Sequence, residues 1–371
     1  MSSLLIRAEK LARALRVRAV RPNLVRRILV IHQLLLGDAL LIAPLLKELA
    51  RQYPEAERVV TVRPELMPLF ESRPYGVRAM PLTRRDDESQ RRLMDSGPYD
   101  LAIVIDDNRY AWLARAAGAR WIAAFANDQP GWKNWMVDDA KPYPDHARAW
   151  ADLLAPTFLG SRAEPFVLGE WPAPTRARQR VREDRYAVLH VGASSRLKAW
   201  QAEKWNAVSA RLRDAGLQII FTGAPGEAKW LEGINATEAE LRHFGTLDLA
   251  ELWHVLADAR VLVCPDTGVA HLARLVGVPT IAMFGPGSAL IHGAGEFWGA
   301  SRFQAATVED FPCRDQNRLY RRSIGWVRRC GRGIGEGSGQ CPSALCMHAL
   351  DTSKVLAPLE LELASDGLIG Q

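Results

Sequence analysis

The sequence predicts an α/β protein built on two doubly wound parallel sheets, and three observations predict it. From Arg27 onward, strand-sized apolar runs alternate with amphipathic helical stretches, the pattern of parallel strands joined by helical crossovers. The rhythm breaks over Ala163–Arg185, where Pro165, Pro172 and Pro174 precede the charge-rich run Arg176–Arg185. It restarts at Tyr186. In a chain of 371 residues, each half is long enough to close a core of its own. The expected division is a basic arm over 1–26, an N-terminal domain over 27–165, a linker over 166–185, a C-terminal domain over 186–350 and a final helix over 351–371.

In the first half, strands are expected at Arg27–His32, Val59–Val62, Val77–Pro81, Leu101–Ile105 and Arg120–Ala124, with a helix over Ala39–Gln52. In the second half, strands fall at Tyr186–Val191, Leu217–Phe221, Arg260–Val263 and Thr280–Phe284. Helices fall at Ala202–Ala215, Glu227–Ile234, Leu249–Ala257 and Thr267–Leu275. Phe311–Met347 is rich in Arg, Gly and Cys and has no period. Leu350–Leu363 reads as a last helix that Pro358 interrupts.

Composition narrows the function classes. The chain is 48% hydrophobic and 24% charged, an ordinary globular balance. No stretch approaches the roughly 18–20 apolar residues of a membrane span. A net charge of +6 points to an acidic partner: a phosphate ligand, an anionic membrane face or nucleic acid. No nucleic-acid-binding module accompanies the charge, so nucleic acid is set aside. Five cysteines, an odd number in a long chain, point to a reducing compartment.

Met1–Arg27 carries Arg7, Lys10, Arg13, Arg16, Arg18, Arg21, Arg26 and Arg27 against the single acid Glu9, with Leu4, Ala8, Leu11 and Leu15 at helical spacing. It lacks the apolar core and cleavage site of a signal peptide. It reads either as an interfacial helix on an anionic membrane surface or as a solvated arm.

Four strand-end segments carry polar chemistry. Leu36-Gly37-Asp38 follows the first strand, where Asp38 serves either as a helix cap or as a chemical group. Gly192-Ala-Ser194-Ser195-Arg-Leu-Lys198 follows the first strand of the second half. Its small residues, hydroxyls and cations suit a diphosphate, or a plain polar turn. Thr222-Gly-Ala-Pro-Gly-Glu227 places a carboxylate at a helix start, as a ribose ligand or a helix-terminal acid. Pro265-Asp266-Thr267-Gly268-Val-Ala-His271 opens another helix, whose free N–H groups suit a phosphate. Asp106-Asp107 after Leu101–Ile105 reads as an acceptor-contact loop rather than a metal pair.

Taken in order, these segments, with Gly277-Val-Pro-Thr280 and Phe284-Gly-Pro286, resemble glycosyltransferase family 9, the lipopolysaccharide heptosyltransferases, from about Arg27 to Gly295. The resemblance implies a GT-B architecture of two Rossmann-like domains facing across a cleft. It implies an inverting, metal-independent transfer of heptose from an ADP-sugar donor to an acidic glycolipid acceptor of the lipopolysaccharide core. No cofactor is expected. By matching positions, Asp38 is the general base. Ser194, Ser195, Lys198, Thr267 and Gly268 bind the diphosphate, Glu227 holds the nucleoside, and Asp266 and His271 line the donor pocket. The expected location is cytoplasmic, with peripheral binding at the inner face of the membrane. The alternatives are another sugar or a protein acceptor on the same fold, or a catalytically silent sugar-nucleotide-binding scaffold. Cys313, Cys330, Cys341 and Cys346 lie in one loop-rich segment and are candidates for a structural metal site, although their spacing lacks the short pairs of common zinc sites.

Overall fold

The computed structural model describes residues 3–175 and 185–365; most of the charge-rich part of the expected linker, 176–184, lies outside the described residues. The chain divides into two compact units. The first comprises Met1–Pro165, Glu170–Pro174 and Asn317–Val327, and the second comprises Phe166–Gly169, Thr175–Gln316 and Arg328–Gln371.

In the first unit, strands β1 (Arg27–Ile31), β2 (Glu57–Val62), β3 (Arg78–Pro81), β4 (Leu101–Val104), β5 (Trp121–Phe125) and β6 (Asp139–Lys141) form one sheet in the order β3-β2-β1-β4-β5-β6. Every pairing is parallel. Ile28, Leu29, Val30 and Ile31 are all buried. β1 is covered on both faces, so it reads as a continuous apolar run rather than an alternating one. β6 was not foreseen: Asp139-Ala-Lys141 is a three-residue, polar edge strand with no apolar signature to read.

Helices α1 (Ser3–Arg16), α2 (Leu36–Leu40), α3 (Ala43–Gln52), α4 (Asp87–Asp95), α5 (Arg109–Ala116) and α6 (Trp150–Leu159) belong to this unit. The single helix expected over Ala39–Gln52 is two. The second restarts with Pro44 in its first turn, where a missing N–H breaks no helical bond. The basic arm is no detached arm. α1 packs on α4 and α5, and Ile6 and Ala14 enter the same apolar cluster as Leu93 and Leu113. Arg13 pairs with Asp95 at 2.7 Å. The expected stripe is not the buried one: Ala8, Leu11 and Leu15 face solvent, while the stems of Lys10 and Arg13 fill out the face between Ile6 and Ala14.

In the second unit, β7 (Tyr186–His190), β8 (Gln218–Gly223), β9 (Leu241–Phe244), β10 (Leu262–Pro265), β11 (Thr280–Phe284) and β12 (Phe303–Thr307) form a sheet in the order β12-β11-β10-β7-β8-β9. All its pairings are parallel. Counted from its own first strand, this is the strand order of the first unit. Helices α7 (Ala202–Asp214), α8 (Leu249–Asp258) and α9 (Gly268–Val276) connect the strands. The expected helix Glu227–Ile234 shrinks to the 3-10 turn Ala228–Leu231. The edge strands β9 and β12 were missed because neither is a buried apolar run: β9 has no fully buried residue and β12 has two exposed ones. The last helix, Ser353–Ser365, runs through Pro358. Val355, Leu359 and Leu363 are buried in the unit's core, and that packing outweighs the lost backbone bond.

The tail contains one departure from the expected domain division. Asn317–Val327 belongs to the first unit, where Arg318–Leu319 and Arg322–Ser323 pair antiparallel as a hairpin. Among the described residues no helix is long and apolar enough to cross a membrane.

Candidate functional site

Strand order reverses beside the first strand of each sheet, between β1 and β4 and between β7 and β10. Crossovers leave such a point in opposite directions, which opens a crevice at the carboxyl ends of the two strands. The segments singled out in the sequence fall at these two points.

At the β7/β10 point, the loop after His190 ends in the 3-10 turn Arg196–Lys198. Lys198 Nζ donates to the main-chain carbonyl of Asp266 and lies 3.3 Å from its carboxylate. Asp266 is buried. Burial pushes its carboxyl up, but the nearby charges, Lys198 foremost, outweigh this and hold it below the ordinary range. A side chain at Gly287 would collide with that carboxylate. His271, one turn into α9, is buried, and burial drives it well below its ordinary value. It is therefore neutral, and its Nδ1 has no partner; nor does the buried Thr267 hydroxyl. Thr267 is the N-cap of α9 and Gly268 its first residue.

Glu227 closes the other side of the loop. Its carboxylate accepts from the Ala224 N–H at 2.7 Å and lies so close over Gly192 that any side chain there would collide with it. Ser195 Oγ accepts from the Leu197 N–H at 3.2 Å, capping the short turn, and Ser194 is exposed. The structure thus brings Gly192, Lys198, Asp266, Thr267, Gly268 and His271 around one sheet end, with Glu227 over the same loop. Sequence reasoning missed Arg274 and His292. Arg274 is buried, sits 3.7 Å over the Phe303 ring and donates to the His292 carbonyl at 2.8 Å. Its desolvation lowers it to about 9. The available signal was a lone arginine in the apolar stretch His271-Leu-Ala-Arg-Leu-Val276.

At the β1/β4 point, Asp38 lies in the first turn of α2 and is half-buried. The N-cap position is Leu35, so Asp38 is not the cap. After β4 the paired carboxylates diverge. Asp106 accepts from the Gln33 N–H at 3.3 Å, and burial raises it to about 6. Asp107 is held at about 2: burial opposes this, and bonds from Arg109 with the Lys133 charge overcome it. Beside this point a cavity of about 260 Å³ is lined by Arg63, Arg84 and Arg85 with Gln33, Glu65 and Thr83. The sequence also gave no warning of Arg322. Its buried guanidinium donates to the carbonyls of Ala126 (2.9 Å), Asp106 (2.8 Å) and Phe125 (3.2 Å) and to Asn108 Oδ1 (2.8 Å).

The tail cysteines share one neighbourhood in the second unit. The Cys313 thiol is raised by burial and by Cys330 and Cys341. Cys346 is raised to about 11, again by burial first and then by Cys313 and Cys330. Among the described residues, no group of three or more His, Cys, Asp or Glu side chains is arranged to hold a metal ion.

Two α/β units of identical strand order define the class of GT-B folds. Comparison with known proteins narrows the class. Residues 89–308, more than half of the chain, match the model of glycosyltransferase family 9 (heptosyltransferase), and the chain belongs to that family. Lipopolysaccharide heptosyltransferase 1 of Pseudomonas aeruginosa is 25% identical over 320 residues, covering 77% of this chain and 85% of the relative. The solved ADP-heptose lipopolysaccharide heptosyltransferase II of Escherichia coli shares the fold at a TM-score of 0.68 and 18% identity, covering 92% of this chain and 99% of that one. The iron-containing dodecameric glycosyltransferase TibC of enterotoxigenic E. coli matches at 0.55 and 14% identity, covering 94% and 77%.

The raised Asp106 makes a pH prediction. Its folded value of about 6 lies above the ordinary carboxyl value, so the native state binds the proton more tightly than the unfolded chain. The stability this gives is complete at low pH and is lost as pH rises through about 6. Asp106→Asn stays neutral throughout. Its melting temperature should match the parent near pH 4 and exceed it by a few degrees at pH 8. Calorimetry across that range checks this.

Proposed function

We propose that the chain is an inverting heptosyltransferase that moves heptose from an ADP-activated donor to a hydroxyl of an acidic lipopolysaccharide-core acceptor. The observation that carries the reading is the Lys198–Asp266 pair at the second switch point, with Glu227 over Gly192 on the same loop, in a family whose named relatives are lipopolysaccharide heptosyltransferases. The donor's diphosphate lies against Lys198, Ser194, Ser195 and the Thr267–Gly268 start of α9, Glu227 holds the nucleoside, and Asp266 and His271 line the pocket. Charge that develops on the departing ADP is met by the ammonium, hydroxyls and helix N–H groups. The transfer step therefore needs no metal.

On the first unit, Asp38 takes the proton of the acceptor hydroxyl as the bond to the anomeric carbon forms. The Arg63–Arg84–Arg85 cavity supports an acidic acceptor, because its three guanidinium groups face one carboxylate, Glu65. Leu11, Leu15 and Leu24, exposed among the arginines of the N-terminal segment, support contact with an anionic membrane at the cytoplasmic face.

For the tail we propose that Cys313, Cys330, Cys341 and Cys346 are plain thiols rather than a structural metal site. Elemental analysis of the purified chain should find no stoichiometric iron or zinc; stoichiometric metal, lost on Cys→Ser substitution, would overturn this reading.

The base assignment is tested by Asp38→Asn, which keeps the size of the side chain. The variant should fold and bind ADP-heptose as the parent does, with turnover lower by about a hundredfold or more. Melts, donor affinity and initial rates on one preparation check this. Near-native turnover would remove Asp38 and make Asp106 the next candidate.

A further inference from the structure

The hairpin that the tail sends into the first unit ends in a two-residue turn, Tyr320-Arg321, between the paired residues Leu319 and Arg322. Both turn residues have positive φ, 44° and 65°. Asn and Gly adopt that conformation readily, and a tyrosine followed by an arginine does so only when its surroundings hold it there. The holding group is Arg322. Besides its four bonds into the first unit, its guanidinium donates to the Tyr320 carbonyl at 3.1 Å. The turn is thus clamped at its own backbone.

The clamped turn delivers the Tyr320 side chain to the β1/β4 switch point. Its ring lies 4.6 Å from that of Trp150, and Trp150 in turn neighbours Tyr143 and Phe125. The Tyr320 hydroxyl is sealed from solvent and closes no fully formed hydrogen bond. Asp38 is the carboxylate within its hydrogen-bonding reach, and Asp106 and Tyr143 are its further neighbours. Burial, then Asp38, push the phenol well above its ordinary range. It keeps its proton at every working pH and is a permanent donor. A buried hydroxyl short of a partner, beside a half-buried carboxylate, is worth least when left unpaired.

We propose that Tyr320 is a positioning residue for Asp38. Its phenol donates to one carboxylate oxygen and fixes the carboxyl plane, which leaves the other oxygen to take the acceptor's proton. The proposal rests on Asp38 being the base, and it makes a segment that lies in sequence between two stretches of the second unit part of the acceptor-side chemistry. The proton moves from the acceptor hydroxyl to Asp38; Tyr320 neither gains nor loses one.

The test is Tyr320→Phe in the full-length chain, which removes one oxygen and retains the ring against Trp150. Rates are read with ADP-heptose and a deacylated lipopolysaccharide inner-core acceptor, and folding by thermal melt. The expected result is a fall in kcat of about 10- to 50-fold, with the KM for ADP-heptose within twofold of the parent. The same change is then made on Asp38→Asn. If Tyr320 acts through Asp38, the double variant is no slower than Asp38→Asn alone. A folded Tyr320→Phe with parental kcat, while Asp38→Asn is impaired, overturns the proposal and leaves the base intact. Additive losses in the double variant overturn it as well, because Tyr320 would then act independently of Asp38. Near-native Asp38→Asn instead fails the base reading on which the proposal stands. Should Tyr320→Phe melt early, Tyr320→Trp supplies the second reading: a ring donor in the same place should recover part of kcat, and no recovery with a restored melt counts against the proposal.

Discussion

In each unit the first and fourth strands run side by side while their crossovers depart toward opposite faces, so the chain cannot cover the carboxyl ends of both strands at once. That constraint positions the chemistry. It sets Asp38 and Asp106 at the end of one sheet and Lys198 and Asp266 at the end of the other. Residues far apart in sequence meet because parallel register fixes where neighbouring strands stop. Ile28 pairs with Leu101 and Leu262 with Val188, and the loops after those strands inherit the alignment.

Buried charge makes these loops specific. Lys198 and Asp266 are mutually compensated, since an ammonium against a carboxylate and its own carbonyl offsets much of the desolvation that either would suffer alone. Asp106 and Asp107 show the converse. They are adjacent in sequence, yet one is raised to about 6 and the other held at about 2. Asp107 has Arg109 and Lys133 beside it, whereas Asp106 has main-chain N–H donors and little else. Environment, not residue type, separates their chemistry.

The legibility of the sequence followed burial. Central strands such as Leu101–Val104 and Thr280–Phe284 were readable as apolar runs, and so were the glycines and carboxylates at their ends. The edge strands Asp139–Lys141 and Leu241–Phe244 were not, because neither carries a run of apolar residues. The arm Ser3–Arg16 was read as a helix lying on a membrane or in solvent; Leu11 and Leu15 carry its periodicity and are exposed, while the burial of Ile6 and Ala14 against the first unit left no signal in the pattern. The largest gap was the tail. Its arginine-rich composition resembles a solvated loop, and no local pattern shows that Arg322 is sealed against four groups on the first unit or that Tyr320 reaches Asp38. Such contacts span 196 residues of chain or more and exist only once the fold brings them together.

The central claim is that the Lys198–Asp266 loop is a seat for the diphosphate of an ADP-sugar. Calorimetric titration of the full-length chain and of Lys198→Ala with ADP, ADP-heptose and adenosine tests it most directly. The account predicts that ADP and ADP-heptose bind the parent and lose about tenfold or more in affinity in the variant, while the weaker binding of adenosine is unchanged. Equal affinity of ADP for the two proteins, or a parent that prefers a uridine or guanosine diphosphate sugar, would contradict it.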